Sequence, residues 1–185
     1  MAVLKVLRVP NPILKQKAKK VEKIDDELKE LVNDMFETMY ATNGIGLAAP
    51  QIGISKRLIV IDTKWRKDSD EKEQIVMINP DIYYKSEELR VYCEGCLSVP
   101  GQYEDVTRPD NIKVRYTDLD GNEHDISADG ILATVIQHET DHLNGVLFID
   151  YLSSLKRNIL IRKVKKMGDK PYNEDDDEDE EDEEI

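Results

Sequence analysis

His138 and His142 stand four residues apart in the stretch Gln-His-Glu-Thr-Asp-His-Leu-Asn-Gly at 137–145, and Glu139 follows the first of them. On a helix this spacing projects both imidazoles from one face, about one turn apart, where they can grip a single divalent ion. The flanking residues predict that helix over 130–143. Asp129 offers a cap, Ile131, Leu132, Val135, Ile136 and Leu143 recur at helical spacing, and Gly145 offers a left-handed stop. The ligand pair therefore lies on or beside a mostly buried stripe, and the fold must bring further donors to it. Two core histidines that merely hydrogen-bond are the plainer alternative; the full His-Glu-x-x-His pattern on a capped apolar helix argues against them.

Two imidazoles do not hold a catalytic metal, so a third ligand is required. A metzincin would place histidine where this chain has Phe148, although Gly145 is in register. A thermolysin-like enzyme needs a following Glu, and 151–168 holds neither acid nor histidine. With three histidines and two cysteines in all, the remaining donors are His124, Cys93 and Cys96. His124 follows an Asp-Gly turn between strand-like runs at 112–117 and 124–127, which predicts an exposed hairpin residue. Cysteine is the better donor.

The cysteines belong to Cys93-Glu94-Gly95-Cys96-Leu97-Ser98. Together with Gly-Ile-Gly-Leu-Ala-Ala-Pro-Gln at 44–51 and Gln-His-Glu-Thr-Asp-His-Leu at 137–143, this segment resembles the three motifs of peptide deformylases, in their usual order. The resemblance covers roughly 4–167. It implies a hydrolase that removes the formyl group from the N-terminal formylmethionine of nascent polypeptides. It further implies metal ligation by Cys96, His138 and His142, with Glu139 as catalytic carboxylate and the Gln51 amide and Leu97 backbone N–H as donors to the oxyanion. The ion implied in the cell is Fe2+, although the same ligands take Zn2+, Ni2+ or Co2+.

The residue types suit that chemistry. Two neutral imidazoles and one thiolate leave a divalent ion with a single formal positive charge and, if tetrahedral, one open position for water. A neighbouring carboxylate can take that water's proton as general base. Gly46 would let an extended peptide align along Ile45–Leu47 through main-chain hydrogen bonds, a mode that tolerates many downstream sequences; a plain glycine turn after a helix is the alternative. By family register Gly95 also faces substrate, and Tyr92, Ile131 and Val135 are expected to wall the methionine slot. Cys93 completes a Cys-x-x-Cys with Cys96, so a closed Cys2His2 structural zinc module stays open as a non-enzymatic reading, and a His-Glu-x-x-His metallopeptidase as an enzymatic one. Neither closed zinc nor a redox pair explains Glu139 or Gln51, and Cys93 is read as a bystander.

Charge divides the chain unevenly. Of the formal −13, eleven charges come from the unbroken acidic run 174–184, which leaves −2 on the rest. Such a run predicts a solvated, disordered tail over 169–185 behind a catalytic domain at 1–168. Before it, 153–167 reads as a helix with Leu155, Ile159, Leu160 and Val164 inward. Lys156, Arg157, Arg162, Lys163, Lys165 and Lys166 lie mostly outward, a face that suits ribosomal RNA phosphates as readily as plain solvent. A further helix is predicted at 26–41, with Leu28, Leu31, Val32, Met35, Phe36 and Met39 inward and Asn43-Gly44 as its stop. Strand-like runs at 58–61, 75–78, 89–94 and the 112–126 hairpin interleave with these few helices. The pattern predicts an α+β fold of mainly antiparallel sheet around a central metal-binding helix, with one helix N-terminal and one C-terminal to it. No apolar stretch approaches the roughly 20 residues of a membrane span, and the first ten residues lack a secretory pattern. The expected setting is cytoplasmic, or an organelle if a transit peptide is missing, with neither DNA nor membrane as partner.

Overall fold

The computed structural model describes residues 2–65 and 71–170. Five strands form an antiparallel sheet: β1 (Gly46–Ala48), β2 (Leu58–Ile61), β3 (Ile75–Lys85), β6 (Asn111–Thr117) and β7 (Glu123–Asp129), in the order β1-β2-β3-β6-β7. The two intervening strands, β4 (Leu89–Cys96) and β5 (Val99–Pro109), pair only with each other in a long antiparallel ribbon. Three helices complete the fold: α1 (Asp26–Ala41), α2 (Gly130–Leu143) and α3 (Ser154–Met167).

The short strand β2 organises the core because both of its faces are covered. Side chains alternate across a strand, so Leu58 and Val60 pack with Leu28, Val32, Met35 and Met39 of α1. Ile59 and Ile61 point the other way, toward Ala133, Ile136 and Leu143 of α2. A strand buried on both sides has no polar face to show, which is why Leu-Ile-Val-Ile reads as an unbroken apolar run. The sheet is thus a septum between α1 and α2. A third apolar cluster, with Val99, Val106, Phe148, Leu160 and Val164, seats the ribbon and α3 against the chain's N-terminal segment.

Local chemistry sets the helix ends. Asp25 accepts from the Leu28 N–H at 3.0 Å and caps α1, while Asn43, at φ 55, turns the chain out of it. Asp129 occupies the cap position of α2 as expected, yet its side chain makes no capping bond. Gly130, at φ 56, instead swings β7 directly into the helix. The apolar side of α3 also departs from expectation. Leu160 and Val164 are buried, but Leu155 and Ile159 remain 69% and 41% exposed, because contact with the ribbon is made one position round the helix, where Ile161 is partly covered. Strand β3 runs past the predicted end at Ile78, through a register shift at Asn79 and Pro80. The expectations for 171–185, and with them the tail, lie outside the described residues.

Candidate metal centre

β4 and α2 are far apart in sequence, and the fold brings their ends together. Cys96 closes β4, His138 and His142 lie on the inner face of α2, and one donor atom from each falls within 4.8 Å of the other two. The Cys96 Sγ is 3.2 Å from His142 Nε2. Donor atoms around a tetrahedral ion with Zn–S and Zn–N bonds of ordinary length are about 3.5 Å apart, so this cluster needs little adjustment to close on a metal. Among the described residues no fourth donor joins it: Cys93 is exposed, on the opposite face of β4 from its buried neighbour Glu94. His124 is held elsewhere by Asp118 Oδ2 at 2.7 Å and stacks on Tyr116, half-buried rather than fully exposed.

The orientation of His138 is imposed from behind. Its Nδ1–H donates to Glu94 Oε2 at 2.9 Å, which fixes the tautomer and leaves the Nε2 lone pair for the metal side. Glu94 is itself clamped by Arg108, whose Nε and Nη2 donate to the two carboxylate oxygens at 2.6 and 3.0 Å. The remaining Arg108 donor, Nη1, reaches Asp141 Oδ2 at 2.8 Å, and the Tyr151 hydroxyl donates to the same oxygen at 2.8 Å. Burial opposes charge on Glu94, but His138 and Arg108 outweigh it and hold the carboxyl below its usual range. Burial lowers His138 as well, but the contacts with the Cys96 sulfur and with Glu94 outweigh it and hold the imidazole well above its ordinary value. His142, buried and facing the positive charge of His138, is pushed well below. These directions describe the metal-free centre. A neutral imidazole, a second imidazole steered by a carboxylate and a thiol form a donor set for a borderline-soft divalent ion.

Glu139 differs from every other acid here. It is 4% exposed, its Oε2 has no hydrogen-bond partner among the described residues, and burial pushes its carboxyl up to about 7. Its position is set by Gly46: a Cβ built on that glycine would lie 2.5 Å from Glu139 Oε1. The glycine anticipated as a place for peptide backbone is thus also the floor on which this carboxylate rests. Gln51 is 1% exposed and equally fixed. Its Oε1 accepts from the Ala48 N–H at 2.8 Å, which aims the NH2 at Ser98 Oγ (3.2 Å) and Cys96 Sγ (3.5 Å).

A cleft of about 870 Å3 opens over this group. It is lined by Cys96, His138, Glu139, Gln51 and Leu97, and by all six residues expected to meet substrate: Ile45, Gly46, Gly95, Tyr92, Ile131 and Val135. His142 sits behind them, 1% exposed. Ile131, expected in the buried stripe of α2, is 43% exposed because it faces the cleft. Strand β1 stands at the edge of the sheet beside the cleft, so one side of its backbone is not used by β2.

Residues 3–158 match the family model described as polypeptide deformylase. The chain belongs to the peptide deformylase family. The peptide deformylase of Zymomonas mobilis is 51% identical, over 90% of this chain and 95% of its own. That of Rhizobium meliloti is also 51% identical, over 90% and 94%. The crystal structure of peptide deformylase from Ehrlichia chaffeensis in complex with actinonin superposes with a TM-score of 0.86 at 45% identity, covering 91% of this chain and 99% of that one. Membership of the family makes the chain a metal-dependent hydrolase that removes the formyl group from N-terminal formylmethionine, and it displaces the metallopeptidase and structural-zinc readings. No helix among the described residues is long and apolar enough to cross a membrane.

Three members of the centre escaped sequence reasoning: Arg108, Asp141 and Tyr151. Glu94 was part of a recognised motif without a role. One signal was present, since Glu94 stands two residues before Cys96 on a strand and must share its face. Arg108 gave none, because β5 itself, with Pro100 and Gly101 near its start, did not read as a strand.

Proposed function

We propose that deformylation is carried by Cys96, His138 and His142 as metal ligands, Glu139 as proton carrier, and the Gln51 amide and Leu97 backbone N–H as oxyanion donors. The observation that carries this is the convergence of the three donor atoms beside a buried carboxylate, one oxygen of which has no hydrogen-bond partner among the described residues. A divalent ion bound there supplies the polarisation that acidifies a water and draws charge onto the formyl oxygen. Glu139 takes that water's proton and returns it to the departing amine, a transfer suited to a carboxyl whose burial raises it toward neutrality. The Gln51 NH2, locked by the Ala48 N–H, and the Leu97 N–H face the charge that develops on the formyl oxygen; each such donor is worth about 3 kcal/mol in the barrier.

The formylated peptide adds to the edge strand β1 at Ile45 and Gly46, with Gly95 of β4 on the opposite bank. Tyr92, Ile131 and Val135 receive the methionine side chain. The resident ion in the cell is Fe2+, with Zn2+, Ni2+ and Co2+ able to occupy the same donors. The enzyme works in the cytoplasm on chains leaving the ribosome, with the basic face of α3 toward ribosomal phosphates, and with 169–185 as an appendage to a catalytic unit at 1–168. Anaerobic purification, metal analysis and a formate-release assay on formyl-Met-Ala test the roles. Cys96→Ala should lose metal, Cys93→Ala should keep it, and Glu139→Ala should keep metal while losing turnover. Retained turnover in Glu139→Ala would remove the carboxylate from the reaction.

A further inference from the structure

The two oxyanion donors come from separate stretches of chain, Gln51 from the short helical turn after β1 and Leu97 from the turn between β4 and β5. One N-terminal segment ties these stretches together. The Leu7 N–H donates to the Gln51 carbonyl at 2.7 Å, and the Val9 N–H to the Ser98 carbonyl at 2.9 Å. Both bonds hold backbone, and neither governs the Gln51 carboxamide. That group is held at its oxygen by the Ala48 N–H, a single point about which the amide plane can still rock. The second point is Ser98, whose Oγ accepts from Gln51 Nε2 at 3.2 Å. Ser98 is 0% exposed and does not line the cleft, so its hydroxyl does not meet substrate. A carboxamide carries its two N–H bonds in one plane. With one of them directed at Ser98, the other is directed toward the metal ligands, where Cys96 Sγ lies 3.5 Å from the same nitrogen.

We propose that Ser98 is a positioning residue for deformylation: its hydroxyl fixes the plane of the Gln51 carboxamide, so that one N–H stands aimed at the charge that develops on the formyl oxygen. The proposal rests on the deformylase reading and on Gln51 as an oxyanion donor. The gain is preorganisation, since a donor already aimed needs no reorientation as charge develops. Loss of the hydroxyl would leave a buried N–H without its acceptor, which is unfavourable, and would free the amide to turn toward another one. Any such turn draws the second N–H away from the oxyanion.

The test is a double-mutant cycle on formate release from formyl-Met-Ala, with metal content and Tm measured for each variant. Removing an oxyanion donor outright costs about 100- to 1000-fold in kcat. Ser98→Ala keeps the donor but not its aim, so kcat should fall on the order of ten-fold while KM and metal content stay unchanged. Gln51→Ala should show the full loss, and adding Ser98→Ala to it should cost nothing further, because the hydroxyl then has no amide to hold. A second readout needs neither turnover nor a bound ion. The Gln51 side-chain NH2 resonances, recognised by their absence in Gln51→Ala, should exchange with solvent on the order of ten-fold faster in Ser98→Ala. Losses that multiply in the double variant, a raised KM at normal kcat, or unchanged exchange would each overturn the proposal. A hydroxyl that served stability alone would lower Tm without touching kcat or exchange, and that result overturns it too. Normal kcat in Gln51→Ala removes the amide from the oxyanion site, and failure of the native chain to release formate removes the deformylase reading. Both are seen with Ser98 intact, and either takes its role away.

Discussion

Replacing Gly46 by Ala separates two reasons for a glycine in the 44–51 motif. Gly46 does not occupy the left-handed region, so alanine fits its backbone without strain. The added methyl, however, would lie 2.5, 2.9 and 3.0 Å from Glu139 Oε1, Cδ and Cγ. Comfortable contact begins near 3.5 Å, so one group must retreat by about 1 Å. The backbone of β1 is tied to β2 through the Gly46–Ile61 pair, which leaves Glu139 to move. Overpacking of this kind costs about 1–3 kcal/mol, or a fall in Tm of about 2–12 °C for a domain of this size. The catalytic effect should be larger relative to its cause: misplacing a reacting group by about 1 Å costs on the order of 100-fold. Gly46→Ala should therefore keep its metal and lose about two orders of magnitude in kcat on formyl-Met-Ala. A normal kcat with a raised KM would show that the glycine serves the approach of peptide and that its support of Glu139 is irrelevant to the reaction.

Glu94→Gln removes the carboxylate that steers His138 and should weaken metal affinity about 10–100-fold, measured by competition with a chromophoric chelator; unchanged affinity would deny the steering. Arg108→Met leaves Glu94 buried and stripped of its cation, and should destabilise the fold by about 3–5 kcal/mol in urea denaturation, with the double variant Glu94→Gln/Arg108→Met recovering part of that loss. Stripping the metal should lower Tm, since an ion present at about 100 times its Kd contributes about 2.7 kcal/mol, and re-addition of Zn2+ or Co2+ should restore it. Asp62 gives a pH signature away from the centre. Burial alone would raise its carboxyl, but bonds from the backbone N–H groups of Glu73, Trp65 and Lys64 and from the Tyr40 hydroxyl hold it low. Its contribution to stability is then fully present above the unfolded carboxylate value of about 3.9 and lost as pH falls through the lower folded one. The Tm gap between the native chain and Asp62→Asn should be constant from about pH 5 to 7 and shrink at lower pH; a gap that widens on acidification would contradict the assigned direction.

The helices were legible because their signals are local. Capping residues, apolar spacing and glycine stops set 26–41, 130–143 and about 153–167 within a few neighbours, and the structure keeps those bounds almost unchanged. The strands with apolar runs or a clear Asp-Gly turn were legible for the same reason. Strand β5 was not, since its residues are held in place by β4 rather than by their own propensities. The outward turn of Leu155 and Ile159 was likewise hidden, because which side of a sparsely apolar helix is inward depends on the surface it meets.

By itself the sequence put two candidate donors side by side, since residues four apart on a helix are neighbours whatever the remainder of the chain does. Motif resemblance added Cys96 and the family's chemistry. Tertiary structure alone decided what makes those donors usable: the Arg108–Glu94 clamp on His138, the glycine under Glu139, and the Ser98 hydroxyl beside the Gln51 amide. Each of these joins residues distant in sequence, whose contact depends on how sheet, ribbon and helices pack rather than on any local preference. A buried charge is stable only beside its partner, and packing determines where that partner stands.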